Sequence, residues 1–185
     1  MWLVWAIAII FLAVIGFGVI FGAPFVPTRQ IWIHQALDLA KIDQNDVVVD
    51  LGSGDGAVLI ESLKRGARRA IGYEVNPILV IWSRLRLAFF KMNCPKLRAN
   101  KIVQKHQKRP LSEVRMADFF YARLPRDTTV IYLFQVNRAM KKVPDFIRKN
   151  RAQIDAKRLR VVCFGFELPG EKVVGVNNGM RLYYF

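Results

Sequence analysis

The stretch Val47-Val48-Val49-Asp50-Leu51, followed at once by Gly52-Ser53-Gly54-Asp55-Gly56, sets the tightest limit on what this chain can fold into. Three β-branched residues in a row read as a strand covered on both faces, and the glycines end it and let the backbone turn sharply. Helical spacing resumes at Ala57, Ile60, Glu61 and Leu63, with Gly66 placed as a C-terminal cap. A second strand reads from Ala70 to Glu74, and Asn76-Pro77 opens a helix that runs to about Met92. Strand, glycine loop, helix, strand and helix make a βαβα unit.

The rest of the chain continues the alternation. Residues 31–41 place Ile33, Leu37 and Ala40 at helical spacing ahead of the first strand. Strands are expected over Glu113–Asp118, Thr128–Gln135 and Val161–Glu167, with a helix near Arg138–Asn150. Leu168-Pro169-Gly170 turns the chain, and Val173–Val176 and Arg181–Phe185 flank Asn177-Asn178-Gly179, a hairpin signature. The expectation is an α/β fold: a Rossmann-like, doubly wound, mostly parallel sheet ending in an antiparallel hairpin. In such a sheet ligands bind beyond the carboxyl ends of the strands, here Asp50–Gly56, Glu74, Asp118 and Gln135–Asn137.

At 185 residues there is room for one domain and an appendage. The first 28 residues contain no Asp, Glu, Lys, Arg or His, so the formal net charge of +15 belongs entirely to residues 29–185. Trp2 to Gly22 would make a helix of roughly 31 Å, enough to cross a hydrocarbon core, and no basic residue precedes it as a signal peptide would require. Residues 1–22 therefore read as a transmembrane anchor, 23–45 as a linker with a short helix, and 46–185 as the domain. Trp2 and Trp5 sit at the level of an aromatic belt, and the basic body places the domain on the cytoplasmic side of a single-pass protein. Cys94 and Cys163 stand alone, without the spacing of a metal site or a disulfide scaffold, which fits a reducing compartment and no metal.

The loop at 50–56 can bring a ligand against the backbone, and Glu74 can accept both ribose hydroxyls of a nucleoside. Gly52, Gly54 and Ala57 also satisfy a dinucleotide pattern, G-x-G-x-x-A. Charge separates the two readings. A pyrophosphate would be repelled by Asp50 and Asp55, whereas the sulfonium and ammonium of S-adenosylmethionine would be attracted.

Asp-Leu-Gly-Ser-Gly-Asp-Gly with an acid at the next strand end resembles the signature of class I S-adenosylmethionine-dependent methyltransferases, over about residues 46–136. PFVPT at 24–28, GYEVNP at 72–77 and FELPG at 166–170, behind an apolar N-terminus, are similar to a smaller family. These are the membrane-anchored protein-lysine methyltransferases of the adenine nucleotide translocase and the ATP synthase c subunit, with their prokaryotic relatives. The resemblance implies S-adenosylmethionine as cofactor. It implies that Asp50, Gly52, Gly54 and Asp55 hold the methionine end and Glu74 the ribose, with Ser53, Gly56 and Asn76 also among the cofactor-binding residues. Asp118 would meet the adenine amino group, or is an ordinary strand-end carboxylate. Pro27 and Thr28 would roof the site, or are only linker.

At 134–137 the chain has Phe-Gln-Val-Asn, not the Asp/Asn-Pro-Pro-Tyr of methyltransferases that modify nucleic-acid bases, and Asn137 replaces a proline expected in the lysine-modifying relatives. Gln135 and Asn137 are the candidate catalytic residues, with Glu167 a further strand-end candidate. Between Val75 and Ser112 there are many Lys and Arg and no acidic residue, which reads as a solvated basic face or as contact with anionic lipid in preference to nucleic acid. Phe89 and Phe90 are expected in the core. Three functions follow: methylation of a lysine on a membrane protein, methylation of a lipid or small membrane-soluble molecule, or cofactor binding without catalysis.

Overall fold

The computed structural model describes residues 1–6, 9, 28–94, 111–134 and 140–185. In chain order these form α1 (Gln30–Leu39), β1 (Val47–Leu51), α2 (Ala57–Lys64), β2 (Arg69–Glu74), α3 (Pro77–Asn93) and β3 (Ser112–Met116). A short 3₁₀ turn (Phe119–Tyr121), β4 (Val130–Leu133), α4 (Val143–Arg151), β5 (Arg160–Phe164), β6 (Gly175–Asn177) and β7 (Met180–Tyr184) follow. The strands make one sheet in the order β3-β2-β1-β4-β5-β7-β6. β1 to β5 are mutually parallel, and β7 runs antiparallel between β5 and β6. Strand order reverses beside β1, whose neighbours are β2 on one side and β4 on the other; that is the place where an open sheet leaves a crevice.

Both faces of the sheet are covered, as the continuous apolar run in β1 requires. On one face Val48, Val130 and Val162 pack with Ile33, Ala36 and Leu37 of α1, while Ala70 and Val114 pack with Leu59, Leu63, Val80 and Leu87 of α2 and α3. On the other face Val47, Val49, Leu51, Ile71, Ile131 and Val161 pack with Phe119 and with Phe146 and Ile147 of α4. Each such side chain contributes about 1.5–3 kcal/mol by leaving water, so the central strands dominate the core energetics. At the opposite end of the sheet from the glycine loop, the buried Asp46 carboxylate accepts from Thr129 Oγ1 at 2.7 Å and pairs with Arg160, locking the starts of β1, β4 and β5 together.

Local chemistry explains the element ends. Asn76 caps α3 by accepting from the amides of Ile78 (3.0 Å) and Leu79 (3.4 Å), with Pro77 in the first helical position. The β6–β7 hairpin turns on Asn178 (φ 45°) and Gly179 (φ 85°), the positive pair that a two-residue turn of this hand needs.

Several expected strands are shorter than their sequence patterns. β3 stops at Met116 because the Asp118 carboxylate accepts from Phe120 N at 3.0 Å and starts the 3₁₀ turn. β5 stops at Phe164, where Gly165 takes a positive φ and donates to Gly179 O at 3.1 Å; residues 166–170 are outside the sheet. β6 begins at Gly175, not Val173. The helix expected near Arg138–Asn150 is α4, Val143–Arg151; residues 138 and 139 lie outside the described residues. Phe89, expected in the core, is 71% exposed because it sits on the side of α3 opposite Val80, Ser83 and Leu87; its neighbour Phe90 packs partly against the core.

Among the described residues no helix is long and apolar enough to cross a membrane. Most of the expected anchor, residues 7, 8 and 10–22, lies outside the described residues, as do Pro27, residues 95–110, Gln135 and Asn137.

Candidate functional site

From the carboxyl end of β1 to α2, across the end of β2, runs a loop that only glycines can build. Gly52, Gly54 and Gly56 have φ of 93°, 51° and 77°, in the left-handed region that side chains disfavour. Gly52 N and Ser53 N both donate to Tyr73 O at 2.9 Å, so the loop leaves β1 by folding over the end of β2. The Glu74 carboxylate then fixes it from below. One oxygen accepts from Gly54 N at 2.8 Å and the other from Asn76 N at 2.8 Å. Each oxygen keeps a further lone pair, so the ribose hydroxyls that the sequence assigned to Glu74 remain chemically within its capacity.

Glycine is needed once more on β2, at Gly72, the first residue of GYEVNP. A Cβ on Gly72 would lie 2.4 Å from Ser53 Oγ and 2.6 Å from Ser53 Cβ. The serine of the loop therefore rests on bare backbone. Its buried hydroxyl has no hydrogen-bond partner among the described residues, which leaves a donor and an acceptor available inside the loop.

Asp50 ends the polar side of this cradle. It is buried at 2% exposure, opposite Gly72 of β2 and Tyr132 of β4 in the sheet register, and its carboxyl titrates well above the usual range. Burial is the chief cause, with the negative charges of Glu74 and Asp55 adding to it. Tyr132, across from it, has a buried hydroxyl with no well-formed hydrogen bond among the described residues; burial above all, and then Asp50, raise its pKa, while the nearby Thr28 side chain works against the rise. Sequence reasoning missed Tyr132, because only the register brings it to Asp50. Such a set of carboxyl groups gathered in low dielectric favours a cationic ligand, whose charge would draw Asp50 into its ionised form.

The remaining expected site residues divide. Asp55 lies in the loop, but its carboxylate is engaged by Arg86 of α3 and by the amide of Ala57 at 3.2 Å. Gly56 approaches Ser83 of α3 so closely that a Cβ would sit 3.1 Å from Ser83 Cβ. Asn76 lies beside Glu74, with its side-chain oxygen occupied as the α3 cap and its backbone N–H donating to Glu74. Asp118 is exposed after β3, Thr28 is half-buried beside Tyr132, and Glu167 is paired with Arg181 at 3.0 Å, outside the sheet.

No protein-family model matches the chain. It is 41% identical over 54 residues to a protein-lysine N-methyltransferase of Saccharolobus islandicus, covering 29% of this chain and 34% of that protein. It is 53% identical over 62 residues to the adenine nucleotide translocase lysine N-methyltransferase of Mus musculus, covering 34% of this chain and 27% of that protein. The matches thus span about a third or less of these relatives' length. An RNA methyltransferase of Salinibacter ruber, solved with S-adenosyl-L-homocysteine, aligns over 86% of this chain and 92% of its own with a TM-score of 0.64 and 26% identity. The chain has the fold of the class I methyltransferases, and the seven-stranded order with its antiparallel β7 is the form that fold takes here.

Proposed function

We propose that this chain is an S-adenosylmethionine-dependent methyltransferase that modifies a lysine side chain of a membrane protein. The observation that carries the reading is the glycine loop between β1 and α2, lined by the buried Asp50 and pinned by Glu74, in a methyltransferase fold. Relatives named as protein-lysine methyltransferases, one of them for a translocase, support the acceptor class.

S-adenosylmethionine supplies an electrophilic methyl group on a sulfonium, and the chain's residues fit it. The Asp50 carboxyl faces a position where a positive charge would be stabilised, the unpartnered Ser53 hydroxyl can take an ammonium or carboxylate of the methionine end, and Glu74 can hold the ribose. A lysine acceptor, with a usual pKa of about 10.4, must arrive neutral so that its lone pair forms the new C–N bond as the C–S bond breaks. Its proton leaves to water or to an amide oxygen, for which Gln135 and Asn137 are the candidates in sequence.

The apolar segment Trp2–Gly22 tethers the domain to a membrane, with residues 29–185 on the cytoplasmic side; its length, lack of charge and the +15 that follows it support this. Intact-mass measurement of membrane proteins from cells with and without the gene tests the acceptor. A loss of about 14 Da per methyl from one membrane protein is expected. Unchanged protein masses with altered lipid masses would replace lysine by a lipid acceptor, and altered RNA nucleoside masses alone would replace it by RNA.

A further inference from the structure

The outward face of α3 is apolar where an edge helix should be polar. Ile78, Ile81, Trp82, Leu85, Phe89 and Met92 are all exposed, Trp82 at 54% and Phe89 at 71%. At 3.6 residues per turn they fall within an arc of about 100°, opposite the buried Leu79, Val80, Ser83 and Leu87. Six large side chains in one stripe are more than scattered surface hydrophobes, and such a contiguous patch marks an interaction surface.

Lys91 flanks the stripe, the other two basic residues of the helix, Arg84 and Arg86, border it while bonded to Val114 O and to Asp55, and no acidic residue occurs from Val75 to Ser112. An apolar stripe bordered by cations, on a chain of net charge +15, complements an anionic bilayer. It does not complement a second copy, whose identical stripe would bring the same cations face to face. Trp82 has the amphipathic ring that settles at headgroup level.

We propose that α3 lies on the surface of an anionic membrane, with Ile78, Leu85 and Phe89 inserted below the headgroups and Trp82 at their level. The helix starts at Pro77, three residues after Glu74, so docking holds the cofactor end of the domain against the bilayer and selects acceptors that project only a short way from it. The inference rests on the proposed membrane location but not on lysine as acceptor, and it holds whether or not the N-terminal segment spans.

Spin labelling of the full chain, reconstituted into vesicles, tests it. Nitroxides are placed through Leu85→Cys, Phe89→Cys and, as a control on exposed α2, Lys64→Cys, each in a Cys94→Ser background; Cys163 is buried. In vesicles of phosphatidylcholine with phosphatidylglycerol, the labels at 85 and 89 should gain oxygen accessibility and lose accessibility to a water-soluble nickel chelate several-fold relative to pure phosphatidylcholine. The label at 64 should stay water-accessible. Labels at 85 and 89 as open to nickel as the one at 64 would overturn the proposal, and spin–spin broadening with both reagents excluded would replace the membrane by a second copy. S-adenosylmethionine binding, measured by calorimetry on the same samples, keeps the two readings apart: docking without cofactor binding sinks the enzymatic reading alone, and cofactor binding without docking sinks this one alone.

Discussion

Ser53 of the glycine loop sits on Gly72 of β2 with no room for a methyl group between them: a Cβ at 72 would come within 2.4 Å of the serine oxygen and 2.9 Å of Leu59 Cδ1. Gly72→Ala should therefore lift the loop and lower S-adenosylmethionine affinity at least tenfold, while the sheet, whose ladder at 72 is unchanged, stays folded. Ser53→Gly in the same chain removes two of the three clashes and should recover part of the affinity. Calorimetric titration of the single and double variants decides it, and a Gly72→Ala protein that binds normally would remove Ser53 from the site.

Glu74 has two tasks, and two substitutions separate them. Glu74→Ala leaves the amides of Gly54 and Asn76 without their charged acceptor, so both thermal stability and cofactor affinity should fall, stability by about 1.5–3 kcal/mol. Glu74→Gln keeps one acceptor for the loop and should retain most of the stability while still losing affinity. Equal loss of stability in both, with affinity untouched in Gln, would make Glu74 a loop strut only.

Asp50 predicts a pH dependence with a definite sign. Its folded pKa is raised above an unfolded value of about 3.9, so the fold favours the protonated form. Its contribution to stability is fully present below the unfolded value and is lost as pH rises toward the folded one. Asp50→Asn should flatten that decline and raise stability at neutral pH. A bound cation reverses the preference, so cofactor binding should release a proton and tighten as pH rises. Binding heats in two buffers of different ionisation enthalpy measure this, and identical heats after correction for dilution would refute the link.

Asp46 and Arg160 should matter for stability and not for binding. Arg160→Met leaves a buried carboxylate without its cation, at a cost of about 3–5 kcal/mol in urea unfolding. The double variant with Asp46→Asn should recover much of that loss. Cofactor affinity of whatever remains folded should match the parent chain.

What sequence could show was local. The run Val47–Leu51, the glycines after it, Asn76-Pro77 and Asn178-Gly179 each carry their own backbone chemistry, and each sits where its pattern placed it. Asn76 shows the limit of motif reading: the Asn-Pro pair that announces a helix start also explains why its side-chain oxygen is occupied. Tyr132 beside Asp50, Arg86 on Asp55 and Arg160 on Asp46 depend on strand order and register, across separations of 31 residues and more, and no local pattern carries them. The placement of β7 between β5 and β6 is of the same kind.

Arg84 belongs to α3 but is spent on β3. It donates from Nε at 3.0 Å and from a terminal nitrogen at 2.7 Å to the carbonyl of Val114, on the strand that ends the sheet order opposite β6. A bare strand margin is a template for another chain, and a guanidinium seated on its acceptor stops the next strand from adding. At the other margin β6 is only three residues long. Both borders of the sheet are therefore poor starting points for fibrils, a useful property for a chain that also displays six large apolar side chains along α3.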